Sequence, residues 1–223
     1  MQKDNIDYNT ISVIMITYGH EKFIRQAVEG VLMQKCNFNV ELIIANDASP
    51  DKTSDIVYDI IKTNPNANRI KYINRDKNIG GQNNFKDAFE QCKGKYIAHC
   101  EGDDYWTDPC KLQKQINFLE TNPDYVLTFH KIKILQPNGI LVDDFITKIP
   151  ENYQTIEALA QYGNYIHTPS IVYKNIINEL PFEMMISPIG DYFLYMIIAQ
   201  HGKLKYFEES MAVYRFGVGI HST

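Results

Sequence analysis

The chain has 223 residues, of which 44% are hydrophobic and 22% charged, the balance of an ordinary globular protein long enough for one α/β domain with a sizeable core. A formal net charge of −5 weighs against non-specific nucleic-acid binding, which depends on excess lysine and arginine. Residues Met1 to Thr10 lack an apolar core of signal-peptide length, and no run approaches the roughly 18 apolar residues of a membrane span, so a cytoplasmic protein is expected.

The first strand is read at Ile11 to Thr17, a continuous β-branched run of the kind buried on both faces of a sheet. After Tyr18-Gly19-His20, Ile24, Ala27, Val28 and Val31 recur at helical spacing. Val40 to Ala45 is a second strand. It leads through Asn46-Asp47-Ala48 to Ser49-Pro50, a cap and first-turn pair for a helix carrying Ile56, Val57, Ile60 and Ile61. Ile70 to Ile73 is a third strand, and Gly80-Gly81 precede a helix with Phe85, Ala88, Phe89 and Cys92 on one face. The fourth strand begins near Tyr96 and runs into Glu101-Gly102-Asp103-Asp104, with a helix from Pro109 to Glu120.

This β-α alternation predicts a mostly parallel sheet covered by helices on both faces. The second half is less regular. It shows a long strand at Tyr125 to Leu135, a turn at Pro137-Asn138-Gly139, helical character from Thr155 to Tyr162 and a short strand at Ser170 to Tyr173. Ser187-Pro188 opens a helix burying Phe193, Leu194, Ile197 and Ile198, and two strands follow at Leu204 to Phe207 and Met211 to Tyr214. The four cysteines, Cys36, Cys92, Cys100 and Cys110, form no Cys-x-x-Cys pair or zinc spacing and read as reduced, partly buried thiols.

In open α/β sheets, ligands bind beyond the carboxyl ends of the strands. Thr17-Tyr18, Asp47 and Glu101 to Asp104 all lie there and should share one crevice. Three carboxylates in four residues are costly to crowd unless a turn or a cation holds them, and magnesium is held by one or two carboxylates plus substrate phosphates. A metal-diphosphate site is therefore one reading of this stretch. Simple turn chemistry at Gly102-Asp103-Asp104 is the other. Asp108, just before Pro109, is better explained as a helix cap. Asp47 taken alone reads as a loop residue, and Asp191 as a first-turn acid favoured by the helix dipole. Trp106 and Tyr105 read as packing rather than a stacking platform. No P-loop, no Gly-x-Gly-x-x-Gly turn, no Gly-x-Ser-x-Gly elbow and no metal-spaced histidine pair is present.

Taken in order, Ser12 to Tyr18, Glu41 to Asp51, Asn78-Ile79-Gly80-Gly81-Gln82-Asn83-Asn84, Gly94 to Ile97 with Glu101 to Asp104, Gly190-Asp191-Tyr192 and Tyr214-Arg215 resemble a family 2 glycosyltransferase with the GT-A fold. The resemblance spans nearly the whole chain. It implies one catalytic domain over 1–223, with a nucleotide-sugar half to about residue 122 and an acceptor half beyond. It also implies that Thr17 and Tyr18 line the base pocket, that Asp47 bonds the base edge, and that Glu101 and Asp103 stand at the Asp-x-Asp positions beside Asp104. Asp103 and Asp104 would hold the metal, Mn2+ or Mg2+, and Asp191 would be the general base.

The implied reaction is inverting transfer of a sugar from a UDP-linked donor to a glycan or lipid-linked acceptor, as in surface polysaccharide synthesis. It would run at the inner membrane face, by peripheral association, if the acceptor is lipid-linked. Two alternatives are a nucleotidyltransferase acting on a sugar phosphate and an inactive nucleotide-sugar-binding protein. The sequence departs from the family pattern at Glu101, a longer carboxylate than aspartate. It departs again after Tyr214-Arg215, where many relatives carry a metal-reaching histidine and this chain has Phe216-Gly217, with His221 further along and given no role. The chain stops at Thr223, as expected of a shortened chain or a minimal catalytic domain.

Overall fold

The computed structural model describes residues 6–187 and 189–218, so His221 and Pro188 lie outside the described residues. In chain order the elements are β1 (Asp7–Thr17), α1 (Ile24–Leu32), β2 (Asn39–Asn46), α2 (Thr53–Thr63), β3 (Ile70–Asn74), α3 (Gly81–Glu90) and β4 (Gly94–His99). Next come β5 (Tyr105–Trp106), α4 (Lys111–Thr121), β6 (Tyr125–Leu135), β7 (Leu141–Asp143) and α5 (Ile156–Tyr162). The last are β8 (Val172–Lys174), α6 (Phe182–Ile186), α7 (Gly190–Ala199) and β9 (Lys203–Arg215).

The strands form one sheet in the order β3-β2-β1-β4-β8-β6-β9-β5, with β7 paired to β6. The first four are parallel, as the β-α alternation requires. β8 then runs antiparallel to both β4 and β6, β9 parallel to β6, and β5 antiparallel to β9. The sheet is therefore a mostly parallel core with antiparallel additions.

Strand alternation sorts the core onto two faces. Ile11, Val13, Met15, Leu42, Ile44, Tyr96 and Ala98 pack with α1, α2 and α4 through Ile24, Val28, Val57, Leu112 and Ile116. Ile14, Ile43, Ala45, Ile97, Leu127 and Phe129 pack with α3, α5 and α7 through Phe89, Leu159, Leu194 and Ile198. Trp106 is buried, donates its indole N–H to the Pro169 carbonyl at 2.9 Å and packs under Lys111, in keeping with a packing role. None of the four cysteines forms a disulfide.

β4 and β5 are consecutive in sequence yet separated by β8, β6 and β9 in the sheet. Four inter-strand steps span roughly 19 Å, about what six fully extended residue steps can cover, roughly 20 Å. Residues 100–104 are not extended, since Asp104 N–H bonds back to the Glu101 carbonyl at 3.1 Å. The far edge of the sheet must therefore curl back, and it comes to rest on α1. There a side chain at Gly30 would lie 3.0 Å from the Trp106 backbone.

Three expectations need correction, and one helix was not anticipated. α2 starts at Thr53, because the Ser49 hydroxyl is bonded to Asn46 Oδ1 at 2.5 Å and accepts from Gly19 N–H at 3.0 Å, instead of capping the helix. The two late strands are one, β9, with the break absorbed where pairing jumps from His130–Phe207 to Ile132–Ala212, an irregularity of the β-bulge kind. The short helix α6 has no counterpart in the hydrophobic pattern. Phe193 is 39% exposed, whereas Leu194 and Ile198 of the same helix are buried as expected.

Candidate functional site

The crevice lies where the carboxyl ends of β1, β2 and β4 meet. Beyond β4 the chain stays beside β1, with Cys100 N–H on the Ile14 carbonyl and Gly102 N–H on the Ile16 carbonyl, both at 3.0 Å. This holds the acidic turn open-ended over the sheet. Glu101, Asp103 and Asp104 each present a carboxylate oxygen, and the three lie within 4.8 Å of one another. Glycine at 102 is a steric requirement: a Cβ there would come within 2.5 Å of Thr17 Oγ1 and 2.8 Å of His20 Nδ1.

Asp104 is 1% exposed. Its Oδ1 accepts the Arg215 backbone N–H at 2.9 Å, while Oδ2 is buried without a hydrogen-bond partner. The Arg215 guanidinium donates to the Asp103 carbonyl and, at 2.6 Å, to Gln26 Oε1. It is held between the rings of Phe23 and Tyr105 at 4.8 and 4.7 Å. The last described strand thus braces the turn.

Burial, and then the charges of Asp103 and Asp191, push Glu101 up to about 8. Burial, and then Asp103 and Glu101, push Asp104 well above the usual carboxylate range. A cation bound there would offset both penalties by stabilising the charged carboxylates. Convergent oxygen donors, one of them buried and unpartnered, fit a hard divalent cation. Glu101, Asp103 and Asp104 are the residues that would hold it.

Asp191 sits in the first turn of α7, with Oδ2 accepting from Asn164 Nδ2 at 3.2 Å. Its negative charge is one of the causes that raise Glu101, which sets it in the neighbourhood of the acidic turn. Asp47 is 3% exposed. Its two oxygens accept the backbone N–H groups of Ile79 and Gly80 at 2.8 and 2.9 Å, and Asn78 Nδ2 donates to its carbonyl at 3.1 Å. Each carboxylate oxygen keeps a second lone pair for a further donor. Tyr18 is 46% exposed at the crevice, whereas Thr17 is 3% exposed with its hydroxyl 3.1 Å from His20 Nδ1.

Residue-by-residue reading of the sequence did not single out three of these structural supports. Asn46 donates to Ser54, Tyr72 and Asn74 and accepts from Ser49, organising the end of β2. Arg215 was visible as part of a Tyr-Arg pair, but its contact with the turn depends on long-range pairing of β9. His20 stands three residues after Thr17, in a stretch that the sequence marks only as the link from the first strand to the first helix.

A curled, mostly parallel α/β sheet with a carboxylate turn beyond β4 defines the GT-A class of nucleotide-sugar-binding folds. The chain belongs to the glycosyl transferase family 2, whose model matches residues 12–180. It is 37% identical over 207 residues to an uncharacterized protein of Mycobacterium tuberculosis, covering 92% of this chain and 58% of that one. It is 28% identical over 192 residues to an Escherichia coli UDP-Glc:alpha-D-GlcNAc-diphosphoundecaprenol beta-1,3-glucosyltransferase, covering 86% and 71% respectively. A Pyrobaculum calidifontis mannosyltransferase solved with GDP-Man and Mn2+ superposes with a TM-score of 0.68 at 13% identity, over 99% of this chain and 61% of that one. The chain thus spans little more than half the length of its mycobacterial relative. Among the described residues no helix is long and apolar enough to cross a membrane.

Proposed function

We propose that this chain is the catalytic part of an inverting glycosyltransferase that moves a sugar from a nucleotide diphosphate donor to a hydroxyl acceptor. The observation that carries it is the convergence of Glu101, Asp103 and Asp104 within 4.8 Å, at a strand end that also feels Asp191. The donor diphosphate lies against the acidic turn, with Thr17, Tyr18 and Asp47 on the nucleoside side. A divalent cation bound there would stabilise the charge that builds on the departing diphosphate. Asp191 takes the proton of the acceptor hydroxyl as its oxygen bonds to the anomeric carbon and the bond to the diphosphate oxygen breaks. One displacement inverts the sugar and needs no enzyme nucleophile.

Uridine is the favoured base and a glycan or lipid-linked glycan the favoured acceptor, a choice supported by the name of the Escherichia coli relative. Mn2+ is the first metal to test, supported by the Pyrobaculum neighbour. Residues up to about 122 form the donor half and those beyond the acceptor half, with Arg215 reaching back across the division. The acceptor half would work at the inner membrane face if the acceptor is lipid-linked. Titration with UDP, with and without Mn2+, tests the reading: binding strengthened by the metal is expected. No binding in either condition, or diphosphate release from nucleoside triphosphates instead, would overturn it.

A further inference from the structure

We propose that His20 is a positioning residue for Asp103, fastening the metal-binding turn to the loop that follows β2. The inference rests on the metal-diphosphate reading above. His20 Nε2 faces Asp103 Oδ2 at 3.8 Å, and Nδ1 lies 3.1 Å from the Thr17 hydroxyl. A carboxylate accepts but does not donate, so the proton belongs on Nε2, and Nδ1 accepts from Thr17 O–H. The distance to Asp103 exceeds a formed hydrogen bond. Rotation of the Asp103 carboxylate onto a ligand would be guided by this N–H.

Two further observations show that the imidazole is held in place. The missing Cβ at Gly102 lets Thr17 and His20 press directly on the turn, so these residues form one packed unit. The loop carrying His20 is tied down at successive residues. Gly19 N–H donates to Ser49 Oγ at 3.0 Å, His20 N–H to Thr53 Oγ1 at 3.0 Å, and Glu21 N–H to Asp51 Oδ2 at 2.9 Å. Glu21 Oε2 in turn accepts Lys52 N–H at 3.0 Å. An ordered β2–α2 loop therefore fixes His20, and His20 orients one carboxylate of the turn. Groups that orient metal-binding side chains change metal affinity by about 10–100-fold when removed.

The experiment measures Mn2+ binding by the loss of the free-ion electron paramagnetic resonance signal, with UDP saturating, alongside UDP affinity without metal and the melting temperature. His20→Leu keeps bulk and loses the N–H. It is expected to weaken Mn2+ binding by about 10–100-fold while leaving metal-free UDP affinity and melting temperature close to wild type. His20→Gln restores a donor and recovers most of the affinity. Thr17→Val, nearly isosteric, removes the hydroxyl that sets the tautomer and weakens Mn2+ binding less than His20→Leu. It decides the matter if His20→Leu fails to fold. Wild-type Mn2+ affinity in His20→Leu, equal losses in the leucine and glutamine variants with a lowered melting temperature, or wild-type affinity in Thr17→Val would each overturn the inference. Absence of Mn2+ binding by the wild type would overturn the parent reading instead.

Discussion

Asp191 and Gly102 carry the sharpest consequences at the scale of single residues. Asp191→Asn preserves the shape and the Asn164 contact but removes the proposed base. Turnover of a nucleotide sugar should fall by about 10²–10⁴-fold, while UDP affinity measured by calorimetry stays near wild type. Gly102→Ala forces a methyl group to within 2.5 Å of Thr17 Oγ1. Overpacking of this kind costs about 1–3 kcal/mol, so the melting temperature should drop and Mn2+ binding weaken with it. Glu101, Asp103 and Asp104 were legible as candidates because three carboxylates crowd together just past a strand end, whereas Asp191, a first-turn helix acid, stood out only through the family resemblance. The pair of hydrogen bonds that Asp47 accepts from the Ile79 and Gly80 backbone was not legible, since nothing local in the sequence says which loop a buried carboxylate will hold.

Lys111 makes a prediction that belongs to its helix, α4. It is fully buried, its Nζ lies 4.2 Å over the Trp106 ring, and burial lowers it to about 7. The unfolded chain holds its proton up to about 10.4, so between about 7 and 10 the unfolded state binds more protons and this residue's contribution to stability rises with pH. Lys111→Met should raise the melting temperature, most below pH 7, with the gain shrinking towards pH 10. A thermal-melt series across that range checks both the sign and the window. Amphipathic spacing made α1 and α3 easy to read. α2 shows the limit: a serine-proline pair is good capping chemistry, yet here tertiary bonds from Gly19 and Asn46 claim the serine first. β9 shows another, because a polar gap at residues 208–210 looks like a loop when it is an irregular stretch of one continuous strand.

For the whole molecule, ligand binding should appear as stability. With UDP present, Mn2+ at 100 times its dissociation constant adds about 2.7 kcal/mol to the folded state. A clear rise in melting temperature is expected, and its absence with UDP and Mn2+ together would contradict a preformed site. The parallel half of the sheet was legible because β-α alternation leaves few topologies open. The placement of β8 between β4 and β6 was not, since antiparallel insertions are decided by packing between distant segments.

The curl that carries β5 back onto α1 has a consequence for the order of assembly. The acidic turn is strung between β4 and β5, and β5 finds its place in the sheet only beside β9, whose end supplies Arg215. During synthesis its three carboxylates are made early, but their geometry waits for the last described strand. A nascent chain therefore does not yet hold the proposed cation site in finished form, and pairings this distant in sequence are slow to form. Residues 1–122 alone should bind Mn2+ with UDP far more weakly than the whole chain. Affinity for the pair would then act as a built-in report that the entire sheet has closed.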